Sequence, residues 1–197
     1  HAEMAALTTV IILYISMAPD EYNDTLAVLL TIRRGDHDAF RTFFEKHHKH
    51  LYHFLLKRGM SEQAAEDIIQ QAFVIIWEKR NEIDETKSLR AYLFRIAYTR
   101  MLNHFRDHKK FSDQAEFDQP GTQTPEATLE QKELKKHIDK AILEMPEKRQ
   151  TAFRLCYLQG FSYKEAAVTM NISEKTVENH MGLAFKDLRR ALHSLRT

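Results

Sequence analysis

Apolar side chains recur at intervals of three and four along most of this chain, and no segment alternates with period two for long enough to make a strand. Such a chain must fold as helices that bury one face against another. Phe40, Phe43, Phe44, His47, Leu51, Phe54 and Leu55 form one stripe, which Gly59 ends. Ser61 N-caps a second helix, with Ala65, Ile68, Ile69, Ala72, Phe73, Ile76 and Trp77 turned inward as far as about Arg80. The polar, aperiodic run from Asn81 to Lys87 reads as a loop. Ser88 then caps a third helix to about Lys110, with Leu89, Leu93, Ile96, Ala97 and Leu102 as its expected packing side.

Periodicity stops between Ser112 and Thr128, where Pro120, Gly121 and Pro125 sit among polar residues, and this stretch reads as a linker. It restarts over Leu129 to Leu143. Pro146 fits the first turn of a helix reaching about Leu158, and Gly160 stops that helix. Ser162 with Glu165 makes a capping box ahead of a short helix to Met170. Asn171 and Ile172 turn, and Ser173 caps a final helix to about Leu195. The expected fold is all-α: two small helical domains joined by a flexible linker, the second containing a helix-turn-helix. Their limits are 25–111 and 129–197, with the linker over 112–128 and an N-terminal extension over 1–24, non-native in part. The apolar run from Ala5 to Ala18 is shorter than the roughly 20 residues that span a bilayer and lacks a basic leader. It reads as neither signal nor anchor, with Met17 as the natural start. The single cysteine, Cys156, excludes an internal disulfide framework and a Cys-rich zinc site, so a cytoplasmic setting is the default.

The net charge of +1 names no partner, but it hides two opposed blocks. Arg90, Arg95, Arg100, Arg106, Lys109 and Lys110 face only Asp107, whereas Asp113, Glu116, Asp118, Glu126, Glu130 and Glu133 face only Lys132. In the basic block, Tyr92, Phe94, Tyr98, His104 and Phe105 interleave with the cations. Rings that stack on unpaired bases and cations that neutralise phosphates suit melted DNA; packing of these rings in the core is the alternative.

The pair of short helices from Ser162 to about Leu192 carries the strongest signal. Ala166, Ala167 and Val177 are small or β-branched where two helices must cross closely, and Val177, Ala184, Leu188 and Leu192 face inward. Lys175, Glu178, Asn179 and Lys186 are left outward, within reach of base edges and phosphates in a major groove. The alternative is a plain helical hairpin with a solvated face. On the helix after Ser61, Asp67, Gln70, Gln71 and Val74 form an outward patch with an apolar edge, which suits a protein partner or an extra core contact. His104 and His108 lie one helical turn apart, as metal ligands can, and His47, His48, His50 and His53 cluster. No carboxylate or cysteine is placed in the sequence to complete either set, so both read as packed or solvated histidines, with no metal and no cofactor. Phosphate loops, dinucleotide glycines, HExxH and GxSxG are missing, so the chain reads as not an enzyme.

The stretches GDHDAFRTFFEKHHKHLYHFLLKRG, AEDIIQQAFVIIWEKR, SLRAYLFRIAYTRMLNHFRDHKK and MPEKRQTAFRLCYLQGFSYKEAAVTMNISEKTVENHMGLAFKDLRRAL, in that order, resemble the sigma-70 superfamily of bacterial RNA polymerase initiation factors, in its compact extracytoplasmic function (ECF) group. The resemblance implies a sigma2-like first domain that binds core polymerase and melts the −10 promoter element, and a sigma4-like second domain that reads the −35 element. It places Asp67, Gln70, Gln71 and Val74 on the β′ clamp helices of the polymerase, with Gln71 standing where Glu is common. It places Arg90, Tyr92, Arg95, Tyr98, Arg100, Asn103 and Arg106 on the −10 strand, although Thr99 replaces a frequent Asn and Arg100 a frequently apolar residue. The Asn81 to Ser88 loop falls where the family captures a flipped base. Lys175, Thr176, Glu178, Asn179, Gly182 and Lys186 fall on the −35 reading surface. Implied partners are core RNA polymerase, through the β′ clamp helices and β flap, promoter DNA and an anti-sigma factor, membrane-bound in part of the family, with no small-molecule substrate. The alternative is a LuxR-like helix-turn-helix regulator with a helical sensor domain.

Overall fold

Residues 26–109 and 129–193 are described by a computed structural model, and among them every regular element is helical. The expectations for the N-terminal extension, the linker and the last four residues lie outside the described residues. Two compact units hold the helices.

The first unit contains α1 (Leu26–Arg33), α2 (His37–Leu56), α3 (Glu62–Glu78) and α4 (Leu89–Lys109). Gly35, at φ +82°, turns the chain between α1 and α2, a conformation that costs a residue with a Cβ. Asp36 then caps α2, its carboxylate accepting from the backbone N–H groups of Asp38 and Ala39, both at 2.9 Å. Ser61 caps α3 by accepting from Ala64 N–H at 3.3 Å, and Ser88 caps α4 by accepting from Ala91 N–H at 3.2 Å. Of the expected α2 stripe, Phe43, His47, Leu51, Phe54 and Leu55 are buried on the side that packs against α3 and α4, whereas Phe40 is half-buried and Phe44, one position round the helix from Phe43, is exposed.

The inward side of α4 differs from expectation at its far end. Leu102 is 39% exposed, and Met101 is buried in its place. Leu89, Leu93, Ala97 and Met101 fall four residues apart in one row, and Leu102 lies a further 100° round the helix. Because α2 and α3 both pack on α4, Arg90, Ala91, Phe94 and Tyr98 are buried as well.

α5 (Leu129–Leu143), α6 (Glu147–Phe153), most of α7 (Tyr163–Met170) and α8 (Glu174–His193) make the second unit. Pro146 precedes α6 as its N-cap residue and does not enter its first turn. The helix expected to continue to Leu158 widens after Phe153 into a π-helical turn, Arg154–Leu158, before Gly160 at φ +62° reverses the chain. Val177, Met181, Ala184 and Leu188 are the buried stripe of α8, which packs on α5 and α6; Leu192, expected inward, is only half-buried. Two polar links fasten this unit. Gln150 Nε2 donates to the Ile142 carbonyl at 2.8 Å in the interior, and Arg149 Nη1 meets Asp187 Oδ2 at 2.5 Å.

Candidate polymerase and nucleic-acid interfaces

The inward face of α3 is consumed by Ala65, Ile68, Ile69, Ala72, Phe73 and Ile76, so Asp67, Gln70, Gln71 and Val74 are all left on the outside. Val74 is 53% exposed, an apolar residue amid polar ones. A lone exposed valine means little, but one flanked by amides and a carboxylate has the composition of a protein-binding patch. Gln71 also faces α4: its side-chain carbonyl accepts from Arg100 Nη1 at 2.7 Å. The residue expected to touch a polymerase and the residue expected to touch DNA are therefore hydrogen-bonded to each other, a link that the sequence did not reveal.

On α4 the expected DNA-contacting residues divide. Arg90 and Tyr98 are corrections: they are 3% and 4% exposed, Arg90 lying in the first turn of α4 near His50 of α2 and Tyr98 on the buried side beside Ala97. Little of either side chain reaches solvent. Tyr92, Arg95 and Arg100 are half-buried, while Asn103 and Arg106 are exposed. Arg106 Nε sits 3.3 Å from Asp107 Oδ1, an exposed pair that costs little to break. Phe94 is core, whereas His104 and Phe105 remain partly open. Of the residues expected to contact DNA, α4 thus leaves Tyr92, Arg95, Arg100, Asn103 and Arg106 at least partly open.

The histidines are tied into the helices. His47 is fully buried with its ring 4.6 Å from that of Phe43, and His48 Nε2 lies 3.1 Å from Glu66 Oε2, a carboxylate partner that the sequence reading did not assign. His104 and His108 stack at 3.9 Å, and His108 Nδ1 lies 2.8 Å from the His104 carbonyl oxygen. No group of three or more metal-ligating side chains occurs among the described residues.

His50 is held down to about 4, first by burial and then by His47, His53, Lys49 and Arg90 around it. Burial pushes His53 in the same direction. Above pH 6.5 the ring of His50 is neutral in both the folded and unfolded chain. As pH falls from 6.5 to about 4 the unfolded chain takes up a proton that the folded chain refuses. The His50 contribution to the stability of the first unit is therefore expected to be lost across that window and to level off below it. Urea midpoints measured over the same range check this, and His50→Gln should flatten the decline.

The helix-turn-helix is built as its caps dictate. Ser162 N–H donates to Glu165 Oε2 at 2.9 Å while Glu165 N–H donates to Ser162 Oγ at 3.2 Å, closing the capping box. Asn171 adopts φ +54° in the turn, where an Asn side chain tolerates the left-handed region. Ser173 accepts from Thr176 N–H at 3.1 Å to start α8. Ala166, Ala167 and Val177 are buried. Lys175, Glu178, Asn179, Gly182 and Lys186 are exposed along α8; Thr176 is half-buried and shares the cap, its hydroxyl 2.7 Å from that of Ser173. Lys175 Nζ meets Glu178 Oε2 at 2.9 Å.

Residues 43–111 match sigma-70 region 2, and residues 136–188 match sigma-70 region 4. The ECF RNA polymerase sigma factor SigM of Bacillus subtilis is 32% identical over 129 residues, 63% of this chain and 77% of SigM. This chain belongs to the ECF sigma factors of the sigma-70 family. Its fold is shared with CnrH, solved in complex with the cytosolic domain of CnrY, at a TM-score of 0.62 and 23% identity over 86% of this chain and 97% of CnrH. It is shared too with RpoE from Bartonella quintana, solved with the anti-sigma factor NepR, at 0.61 and 21% identity over 78% of this chain and 96% of RpoE. As an RNA polymerase sigma factor, this protein directs transcription initiation. The LuxR-like alternative is not favoured, because its helical sensor would occupy residues that match sigma-70 region 2. The α3 patch lies within that match and the α8 stripe within the region 4 match.

Proposed function

We propose that the α3 patch docks this sigma factor on the β′ clamp helices of core RNA polymerase, that α4 and the 81–88 loop engage the opened −10 strand, and that α8 reads the −35 element. The domains act over 25–111 and 129–197, with 112–128 as the connecting segment, and the second also meets the β flap. The factor supplies selectivity and performs no catalysis of its own; polymerase makes the RNA. The observation that carries this reading is the α3 patch: Asp67, Gln70, Gln71 and Val74 stay exposed on a helix whose other face is buried from Ala65 to Ile76, with Trp77 half-buried at its end, within the residues that match region 2. The modest net charge of +1 fits a protein whose nonspecific DNA affinity comes largely from its polymerase partner.

CnrH binds the cytosolic domain of CnrY and Bartonella RpoE binds the anti-sigma factor NepR. By that likeness this chain is held by an anti-sigma factor, membrane-bound in our reading, while the sigma factor itself works in the cytoplasm. No helix among the described residues is long and apolar enough to cross a membrane.

The test is transcription in vitro from a genomic promoter library with sigma-free core polymerase, with and without the protein. Protein-dependent transcripts sharing −35 and −10 sequences are expected. The Asp67→Ala, Gln70→Ala double variant should bind core about tenfold more weakly with unchanged circular dichroism, because both side chains are exposed and support no packing. Wild-type core affinity in a competition assay would remove α3 as the docking face.

A further inference from the structure

We propose that Arg33, the last residue of α1, is the positioning residue that fixes the shape of the 81–88 loop for a displaced promoter base. The inference rests on the reading of that loop given above and extends it to a residue far away in sequence. Arg33 Nε donates to the Arg80 carbonyl at 3.1 Å, Nη2 donates to the Ile83 carbonyl, and Nη1 pairs with the Glu85 carboxylate. One planar fork thus touches the loop at its entry, its middle and its far side. The Arg33 side chain is only 21% exposed, so its two bonds to backbone carbonyls are partly sheltered from water, while the pair with Glu85 lies at the surface.

The loop cannot easily hold this shape by composition, since Ile83 is its one buried residue. Its local bonds fix two short pieces. At the entry, Glu82 N–H donates to the Lys79 carbonyl at 2.8 Å, and Arg80 folds back with its guanidinium 4.4 Å over the Trp77 ring. Beyond the middle, Asp84 Oδ1 accepts from Thr86 N–H at 2.9 Å and Thr86 Oγ1 at 2.6 Å, and Lys87 Nζ lies 3.3 Å from Asp84 Oδ2. The hydroxyl of Thr86 and then its N–H hold the Asp84 carboxyl down to about 2, in keeping with a formed turn. Arg33 joins the first piece to the second and fastens both to α1. Asn81, Glu82, Thr86 and Lys87 are left exposed on the resulting arch. An arch already formed spends no ordering entropy when a base enters it, which is where affinity and discrimination are gained. A lysine cannot replace the fork, because a single ammonium point charge does not span three fixed acceptors.

The experiment uses the full chain assembled with core polymerase. It reads core affinity, strand opening at −10 by permanganate reactivity, and the preference among the four bases at each opened position. For Arg33→Ala, core affinity should stay within about twofold of wild type while opening falls about tenfold and the base preference at one opened position collapses. Arg33→Lys should restore neither. Full discrimination in Arg33→Ala, or full rescue by lysine, overturns the proposal. Should Arg33→Ala disturb α1 itself, Glu85→Ala cuts the clamp from the loop side and should relax the same base preference; unchanged discrimination there overturns the proposal too. Thr86→Ala and Lys87→Ala separate the two levels of the argument. If they shift base preference and the Arg33 variants do not, Arg33 is not the positioning residue. If none of them does, the loop is not the capture site, and the inference falls with that reading.

Discussion

Phe54→Ala is expected to lower the unfolding free energy of the α1–α4 unit by about 3–5 kcal/mol. Phe54 sits in the α2 stripe with its ring 5.5 Å from that of Phe94, and both rings are buried, so truncation leaves a cavity between two helices. The neighbours Leu51, Leu55 and Leu93 are themselves fully buried and have little freedom to collapse into it. Small domains hold about 5–15 kcal/mol in total, so this one change removes a large share. The chain offers a clean reporter, because its single tryptophan, Trp77, lies in this unit, with the Phe40 ring 5.0 Å away and the Arg80 guanidinium over its face. Urea unfolding followed by Trp77 emission therefore reads the first unit separately from the second. A loss below about 1 kcal/mol would show that the helices repack around the gap.

Much of this architecture was legible because its determinants are local. Ser61, Ser88, Ser162 with Glu165, and Ser173 each cap the helix that follows through bonds spanning three residues, so a sequence window contains the whole interaction. The α2 and α3 stripes were legible for the same reason, since each helix buries a single face. α4 was read less well because Leu89, Arg90, Ala91, Leu93, Phe94, Ala97, Tyr98 and Met101 are all buried, a band too wide to display as a clean stripe. Periodicity therefore chose Leu102 over Met101, and it left open whether the rings beside the arginines were core, so that the family resemblance put Arg90 and Tyr98 on the DNA face. The π-helical turn at Arg154–Leu158 had no signal in the sequence; its extra residue per turn shows only in the backbone.

The candidate surfaces divide along the same line. Val74 stood out because an apolar residue breaks a polar face, and the α8 stripe followed from counting around one helix. The Gln71 to Arg100 bond joins residues 29 positions apart, and the Arg33 contacts reach across 47 to 52 positions. Pairings that distant leave no spacing to detect, and Arg33 in the sequence is simply a basic residue at a helix end. Electrostatics hid them further. A block of arginines reads as one basic patch, whereas in the fold Arg90 is buried, Arg100 is bonded to an amide and Arg106 remains open.

Asn179→Ala and Lys186→Ala should damage promoter binding in two distinguishable ways. Both side chains are exposed on α8, Asn179 within its first two turns and Lys186 two turns further on. An Asn amide can pair bidentately with adenine, and losing such a pair costs about 1–3 kcal/mol at one base position. Asn179→Ala is therefore expected to weaken a matched −35 site by that amount and to erase discrimination at a single position. A lysine meets phosphate as a point charge, so Lys186→Ala should weaken all −35 sequences alike and reduce the slope of log affinity against log salt by about 1. Glu178 enters the same comparison, because its exposed pair with Lys175 contributes little in the free protein and leaves the carboxylate free to accept from a cytosine amino group. The measurement is competition binding by the holoenzyme on promoter fragments varied one base at a time across the −35 element, repeated at several salt concentrations. A uniform loss from Asn179→Ala, with a salt slope changed as for lysine, would mean that α8 holds the backbone at this point and reads its bases elsewhere.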